Sequence, residues 1–340
     1  MSRLVLPSRR LLASIFAGAA LMFSCSAHAE EIVVYEALDF AGGAAKAFTA
    51  KTGIDVKIVE LESTGEVLGK VAAEGDHPQF DVLWLEGSAI FDRLGQSGYL
   101  MALPDLASRT AYTDLGKKLV SPSGLYLPTN VSTTAIAVNT KKVSQQDIPT
   151  SWADLTKPVF KNVVGAKDPN LSGLAYQWLA GLFQTMGEDK AKALLTSALT
   201  NKKISGLPSG GVLNKQLLTG NAAIGVAQDS ATYSKAAGGE PLIEVYPTEG
   251  VVATPSSIAI SAKSAHADAA RKFLEFVLSK DGQAAMLDGD DADFFFVPII
   301  KDVAAKPGRK TDINFIVLDD KTAAAHEAEW KKWYRDNFVQ

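Results

Sequence analysis

EIVVYEALDFAGGAAKAFTAKTGIDVKIVELESTGEVLGKVAAEGDHPQFDVLWLEGSAIFDRLGQSG, residues 31–98, is the stretch that decides the fold. It holds three short apolar runs: Ile32-Val33-Val34-Tyr35, Val56-Lys57-Ile58-Val59 and Asp81-Val82-Leu83-Trp84-Leu85. Each reads as a buried strand, and each is followed by a segment of helical spacing. The first helix spans about Gly42 to Thr52, with Ala45, Phe48 and Thr52 on one face, Asp39 as its N-cap and Gly53 as its left-handed stop. The second begins at Ser63-Thr64-Gly65 and turns Val67, Leu68 and Val71 to one side. The third follows Glu86-Gly87-Ser88 and ends near Ser97-Gly98. Strands alternating with helices imply an α/β fold with a mostly parallel sheet covered on both faces. Ligands of such sheets collect at the carboxyl ends of the strands. The loops there make Glu36, Ser63, Thr64, Gly65, Glu86 and Gly87 candidate binding residues.

Downstream the alternation resumes with its own hydrophobic pattern, which reads as a second lobe. Thr133 to Asn139 and Val163 to Ala166 are strands, and an apolar helix runs from Ser172-Gly173 through Trp178 and Phe183. Ala222 to Val226 is a strand running into Gln228-Asp229-Ser230. Ser257 to Ile260 is a further strand, and Ala269 to Leu278 is an amphipathic helix with Ala270, Phe273, Phe276 and Val277 on one side. Phe294-Phe295-Phe296 reads as a packed edge segment. The last helix, Thr322 to Phe338, presents Trp330, Trp333 and Tyr334 as a packing face.

Upstream, Arg3, Arg9 and Arg10 precede an apolar run from Leu11 to Phe23, and Ala27-His28-Ala29 supplies the small residues of a cleavage site. That layout is expected of a secretory signal peptide over residues 1–29, cut before Glu30. Cutting there removes Cys25, the single cysteine, and leaves a chain large enough to build a core without disulfides. Hydrophobic residues make up 47% and charged residues 21%, a globular balance. The net charge of −4, with both signs mixed along the chain, argues against nucleic acid and anionic lipid as partners.

Three strand-to-helix loops open with hydroxyl and glycine residues: Ser63-Thr64-Gly65, Ser172-Gly173 and Ser209-Gly210-Gly211. A helix start leaves N–H groups without partners and carries partial positive charge, so such loops hold phosphate or carboxylate without many formal charges. Ordinary N-capping is the competing reading of each one taken singly. Gln228, Asp229 and Glu249 follow strands of the second lobe, where their polar groups can meet ligand hydroxyls. His77, His266 and His326 are scattered without metal-ligand spacing, and no P-loop or Gly-x-Ser-x-Gly elbow occurs, so neither a metal, a cofactor nor an enzyme is expected.

Several stretches together resemble the periplasmic solute-binding proteins of ABC importers, in the branch grouping ferric-iron, phosphonate and sugar-phosphate binders. They are Glu62 to Gly65, Val138 to Lys142, Ile148 to Leu155, Asp168 to Tyr176 and Tyr246 to Gly250. The resemblance implies a type II binding-protein fold of two lobes, residues 30–130 with 255–340 and residues 131–254. A two-crossing hinge would lie near Pro128 to Thr133 and Val251 to Ser256, adding Thr129 and Asn130 to the site. It also implies a periplasmic location, an inner-membrane ABC permease as partner and a monomeric chain. Iron-binding members carry two adjacent tyrosines after the strand that ends here near Ala227, where this chain has Gln228-Asp229-Ser230. The expected ligand is therefore a small anionic organophosphate such as a sugar phosphate, with ferric iron or a phosphonate as alternatives.

Overall fold

The computed structural model describes residues 30–38, 40–61, 64–289 and 292–340. The expected leader at 1–29, the Asp39 cap, Glu62 and Ser63 lie outside the described residues.

The opening stretch folds as its pattern predicts. Strands β1 (Glu31–Glu36), β2 (Asp55–Glu60) and β3 (Val82–Glu86) alternate with α1 (Ala41–Thr52), α2 (Thr64–Glu74) and α3 (Ala89–Gln96). β1 pairs in parallel with both other strands, Val34 opposing Ile58 on one side and Val82 on the other. Gly53 ends α1 at φ 75°, a backbone state that costs any other residue a Cβ clash. Two short helices, α4 (Pro104–Arg109) and α5 (Asp114–Leu119), lead to β4 (Leu127–Ser132).

At Thr133 the chain leaves this sheet and enters a second one. That sheet comprises β5 (Thr134–Asn139), β6 (Val164–Ala166), β7 (Ile224–Gln228) and β8 (Leu242–Val245). Its helices are α6 (Gly173–Met186), α7 (Glu188–Ala198), α8 (Gly210–Thr219) and α9 (Asp229–Ala237). The chain returns through β9 (Val251–Val252) and β10 (Thr254–Ile260), then forms α10 (Ala267–Val277), α11 (Lys280–Met286) and β11 (Val297–Pro298). β12 (Phe315–Ile316) pairs with β9, and α12 (Asp320–Phe338) closes the described chain. The large sheet has the order β11-β4-β10-β3-β1-β2 and the small one β6-β7-β5-β8.

Two expectations need correction. The sheets are mixed, not mostly parallel: β10 runs antiparallel to β3 and β4, and β5 runs antiparallel to β7 and β8. β4 carries the chain out of the large sheet and β10 brings it back alongside, so the two must point in opposite directions. The second correction concerns the last helix, placed with the first lobe from sequence. Trp330, Tyr334 and Phe338 of α12 share one apolar core with Trp152, Trp178 and Phe183, beside the small sheet. Tyr334 fixes this by donating from its hydroxyl to the Ser205 carbonyl at 2.6 Å.

Each sheet buries residues on both faces. On one face of the large sheet Phe40, Trp84, Phe273 and Phe296 interlock, and on the other Tyr35, Phe91 and Tyr126 do so. Burying each such ring contributes about 1.5–3 kcal/mol. The Phe294-Phe295-Phe296 run is buried throughout, as expected of a packed segment. The two crossings are tied where they pass: the Thr133 hydroxyl donates to the Val252 carbonyl at 2.6 Å.

Candidate functional site

The carboxyl ends of β1 and β3 deliver Glu36, Glu86 and Gly87 to one edge of the large sheet, beside the start of α2 at Thr64 and Gly65. Glu36 is buried and accepts from the Leu38 N–H two residues on, which fixes the turn out of β1. Glu86 is half-buried and opposes Ser256 of β10 in the ladder. Gly87 has φ 89°, and its N–H donates to the Pro255 carbonyl at 2.8 Å. A Cβ added there would lie 2.9 Å from Nε2 of Gln177 in α6. Glycine at this position lets the first turns of α6 approach the end of β3.

α6 enters that space N-terminus first. Ser172 is an N-cap: its Oγ accepts from the Ala175 N–H at 3.3 Å. Gly173 is exposed, with open space where a side chain would stand. The N–H groups of the first turn have no acceptor inside a helix, and the dipole of this 14-residue helix adds partial positive charge to them. Ser209 caps α8 in the same way, accepting from Val212 at 3.3 Å.

Asp229 begins α9 at the end of β7, and the structure assigns it a different role from the one expected. It is fully buried, and both carboxylate oxygens are occupied. Oδ1 accepts from the N–H groups of Thr133 at 3.1 Å and Ser230 at 2.8 Å. Oδ2 accepts from the Tyr246 hydroxyl at 2.9 Å and from Nη2 of Arg309. Neither side chain of the Asp229–Arg309 pair is solvent-exposed. Arg309 also donates through Nε to the Phe295 carbonyl at 2.7 Å, and its guanidinium stacks 4.7 Å from the Tyr233 ring centre. A carboxylate so saturated has no lone pair left for a ligand hydroxyl. It ties the C-terminal loop of residues 301–314 to the small sheet. The half-buried Gln228 pairs through its backbone with Thr134.

Thr129, Asn130 and Glu249 stand in different surroundings. Thr129 is fully buried, accepting from the Trp84 indole at 3.1 Å and donating to the Ser256 carbonyl at 3.1 Å. Asn130 is fully buried beside it, and neither polar atom of its amide has a hydrogen-bond partner among the described residues. Glu249 accepts from the Trp152 N–H at 3.1 Å, holding the turn at residues 151–156. Thr129 and Asn130 are thus buried beside the crossing, whereas Glu249 lies exposed at its turn.

Sequence reasoning missed Arg309, Tyr246 and Glu244. The only local sign of Arg309 is a basic Pro-Gly turn, Lys306-Pro307-Gly308-Arg309-Lys310. Burial, then the Asp229 charge, pushes the Tyr246 phenol far above its usual range. Its hydroxyl donates to the Asp229 carboxylate at 2.9 Å. Among the described residues no group of three or more His, Cys, Asp or Glu side chains is placed to hold a metal.

Residues 43–316 match the family model described as bacterial extracellular solute-binding protein. The spermidine/putrescine-binding periplasmic protein of Salmonella typhimurium is 26% identical over 290 residues, covering 81% of this chain and 80% of the relative. Among solved structures, AfuA of Actinobacillus pleuropneumoniae with fructose-6-phosphate bound superposes with a TM-score of 0.77. It is 24% identical, covering 91% of this chain and 98% of that one. Iron-bound HitA of Pseudomonas aeruginosa superposes with a TM-score of 0.76 at 23% identity, covering 90% and 99%.

Proposed function

The chain belongs to the bacterial extracellular solute-binding proteins, and we propose that the solute it carries is a small anionic organophosphate, such as a sugar phosphate, held between its two lobes. The family works by binding and handing over a solute in ABC import, not by catalysis. The observation that carries the ligand reading is the open first turn of α6 at Gly173, set against the end of β3 at Gly87. Phosphate oxygens satisfy unpartnered N–H groups and the positive end of a helix at the same time. Thr64 and Gly65 offer a second such start from the large-sheet side, with Ser63 ahead of them in the sequence, and Glu36, Glu86 and Gly87 border the space where sugar hydroxyls would lie. The lobes in this reading are residues 30–130 with the strands and helices of 255–319, and residues 131–254 with α12. The loaded monomer would dock on an inner-membrane permease.

AfuA, with fructose-6-phosphate bound, has this fold and supports the reading. The iron bound by HitA is disfavoured for this chain by Gln228-Asp229-Ser230 at the position of the paired tyrosines, with Asp229 committed to Arg309 and Tyr246.

The test is calorimetric titration and thermal shift with sugar phosphates, phosphonates, inorganic phosphate, ferric citrate and polyamines. A sugar phosphate is expected to bind and raise the melting temperature. Gly173→Asp puts a carboxylate where a helix start tolerates it and an anionic ligand does not. It is expected to abolish binding while leaving the fold intact. Thr64→Ala removes one hydroxyl donor to a charged group, worth about 1.5–3 kcal/mol, and is expected to weaken binding roughly 10- to 100-fold. Unchanged affinity in Gly173→Asp would overturn the assignment.

A further inference from the structure

Gln177 lies one turn along α6 from Gly173 and on the same face, since residues four apart in a helix stand one above the other. The rise over those residues places it about 6 Å beyond the open helix start. It is half-buried, and among the described residues its side-chain amide makes no hydrogen bond. The missing side chain of Gly87 makes room for it, because a Cβ there would lie 2.9 Å from its Nε2. The amide therefore stands at the seam between the end of β3 and α6, with its donors and its acceptor free for a solute.

Beyond this seam is a cavity of about 760 Å³, bounded by α3 and the loop before β4 on one side and by α6 and the start of α12 on the other. Its volume falls in the range of small-molecule sites. Ser88, Asp92 and Tyr126 line it from the large-sheet side, and Gln177, Asp319 and Asp320 line it from the other. Lys118 and Lys321 are the cations of the wall, so carboxylates outnumber them. Asp319 is engaged in capping α12. Asp92 accepts the Tyr126 hydroxyl at 3.0 Å, and Asp320 accepts the Ser88 hydroxyl at 2.6 Å. A carboxylate has about four lone-pair sites, so these two can accept further hydroxyls. The space is thus polarised. Its α6 end favours an anion, and its far end favours uncharged hydroxyl groups and repels a second anion.

We propose that Gln177 and this cavity set the specificity of the site for a phosphate monoester with an uncharged, polyhydroxylated body. The inference rests on the organophosphate reading. The phosphate sits at the α6 start and the body runs along the helix. Gln177 exchanges hydrogen bonds with a hydroxyl in the middle of the body, and the distal hydroxyls meet Asp92 and Asp320. A second phosphate at the distal end meets the same carboxylates and is rejected, so the site discriminates by repulsion as well as by attraction.

The test is titration calorimetry with glucose-6-phosphate, fructose-6-phosphate, ribose-5-phosphate, fructose-1,6-bisphosphate and methyl phosphate. At least one sugar monophosphate is expected to bind about tenfold or more tightly than methyl phosphate and than the bisphosphate. Gln177→Leu removes the amide at similar volume. It should weaken sugar-monophosphate binding roughly 3- to 10-fold, leave methyl phosphate unchanged and keep the solute-free melting temperature of the parent. Val317 borders the cavity with 40% of its surface exposed, so Val317→Trp fills the space without disturbing the core. It should also weaken the monophosphate and spare methyl phosphate. If the parent binds none of these phosphates, the organophosphate reading falls and this inference with it. If a sugar monophosphate binds, the inference alone is overturned by any of three results: parental affinity in Gln177→Leu or Val317→Trp, a bisphosphate bound as tightly as the monoester, or weakened binding in Gln177→Leu that comes with a lowered solute-free melting temperature.

Discussion

Arg309 and Asp229 lie 80 residues apart and meet in direct contact, both side chains buried. Two buried charges are tolerable only because each satisfies the other and nearby dipoles share the load. Taking one away leaves the other bare. Arg309→Met is expected to cost about 3–5 kcal/mol of stability, read from urea denaturation midpoints. Asp229→Asn combined with Arg309→Met should recover much of that loss, because an amide needs no counter-charge; a double variant no more stable than Arg309→Met would refute the pairing. Glu244 gives a prediction of opposite character. Burial, then the neighbouring Asp229 charge, raises its carboxyl well above the usual range in the folded state, while the unfolded chain ionises near the ordinary range. The unfolded state then binds fewer protons, so stability falls as pH rises above that range. Glu244→Gln removes the effect. It should match the parent near pH 4 and exceed it at pH 8, and equal stability at both would show that Glu244 ionises freely in the fold.

Helix starts are where local chemistry and function compete for the same groups. Ser172 spends its Oγ on Ala175, so Ser172→Ala should cost about 1 kcal/mol by denaturation, whatever it does to ligand. Ser172→Asp keeps a cap and adds a charge. If the start of α6 grips an anion, Ser172→Asp should preserve stability and lose binding, whereas equal loss of both would mark the residue as a cap alone. This competition explains what was legible beforehand. Ile32 to Tyr35 and Val82 to Leu85 announced β1 and β3 because buried strands read as unbroken apolar runs. Gly53 announced the end of α1 because only glycine sits easily at its φ. β8 was not legible, since Leu242-Ile243-Glu244-Val245 carries a charged residue that no local rule places inside a fold. The antiparallel direction of β10 was hidden too, because hydrophobic spacing records burial and not strand direction. Arg309 was hidden for a similar reason: its partner is set by a crossing of the chain, and a Pro-Gly turn beside lysines looks like any solvated loop.

At the scale of the whole molecule, two polar contacts join segments that follow different sheets. A loop beyond β11 sends Arg309 to Asp229 on the small sheet, and Ser88 after β3 donates to Asp320 at the start of α12 at 2.6 Å. Burial raises the Asp320 carboxyl, with Ser88 opposing and Asp92 and Asp319 adding to the rise. Both contacts draw the lobes together without help from a solute. A ligand shifts an opening equilibrium only by its preference for one form, and apparent affinity scales with the fraction already competent to bind. The Asp229–Arg309 pair is therefore expected to favour a closed form. In the Asp229→Asn, Arg309→Met protein the solute-free form should open, seen as a larger radius of gyration by small-angle scattering. Affinity should drop with it, and saturating solute should restore the parent's dimensions. A double variant with parental dimensions and weakened binding would mean that the pair shapes the site directly, because closure would then have been untouched while recognition suffered.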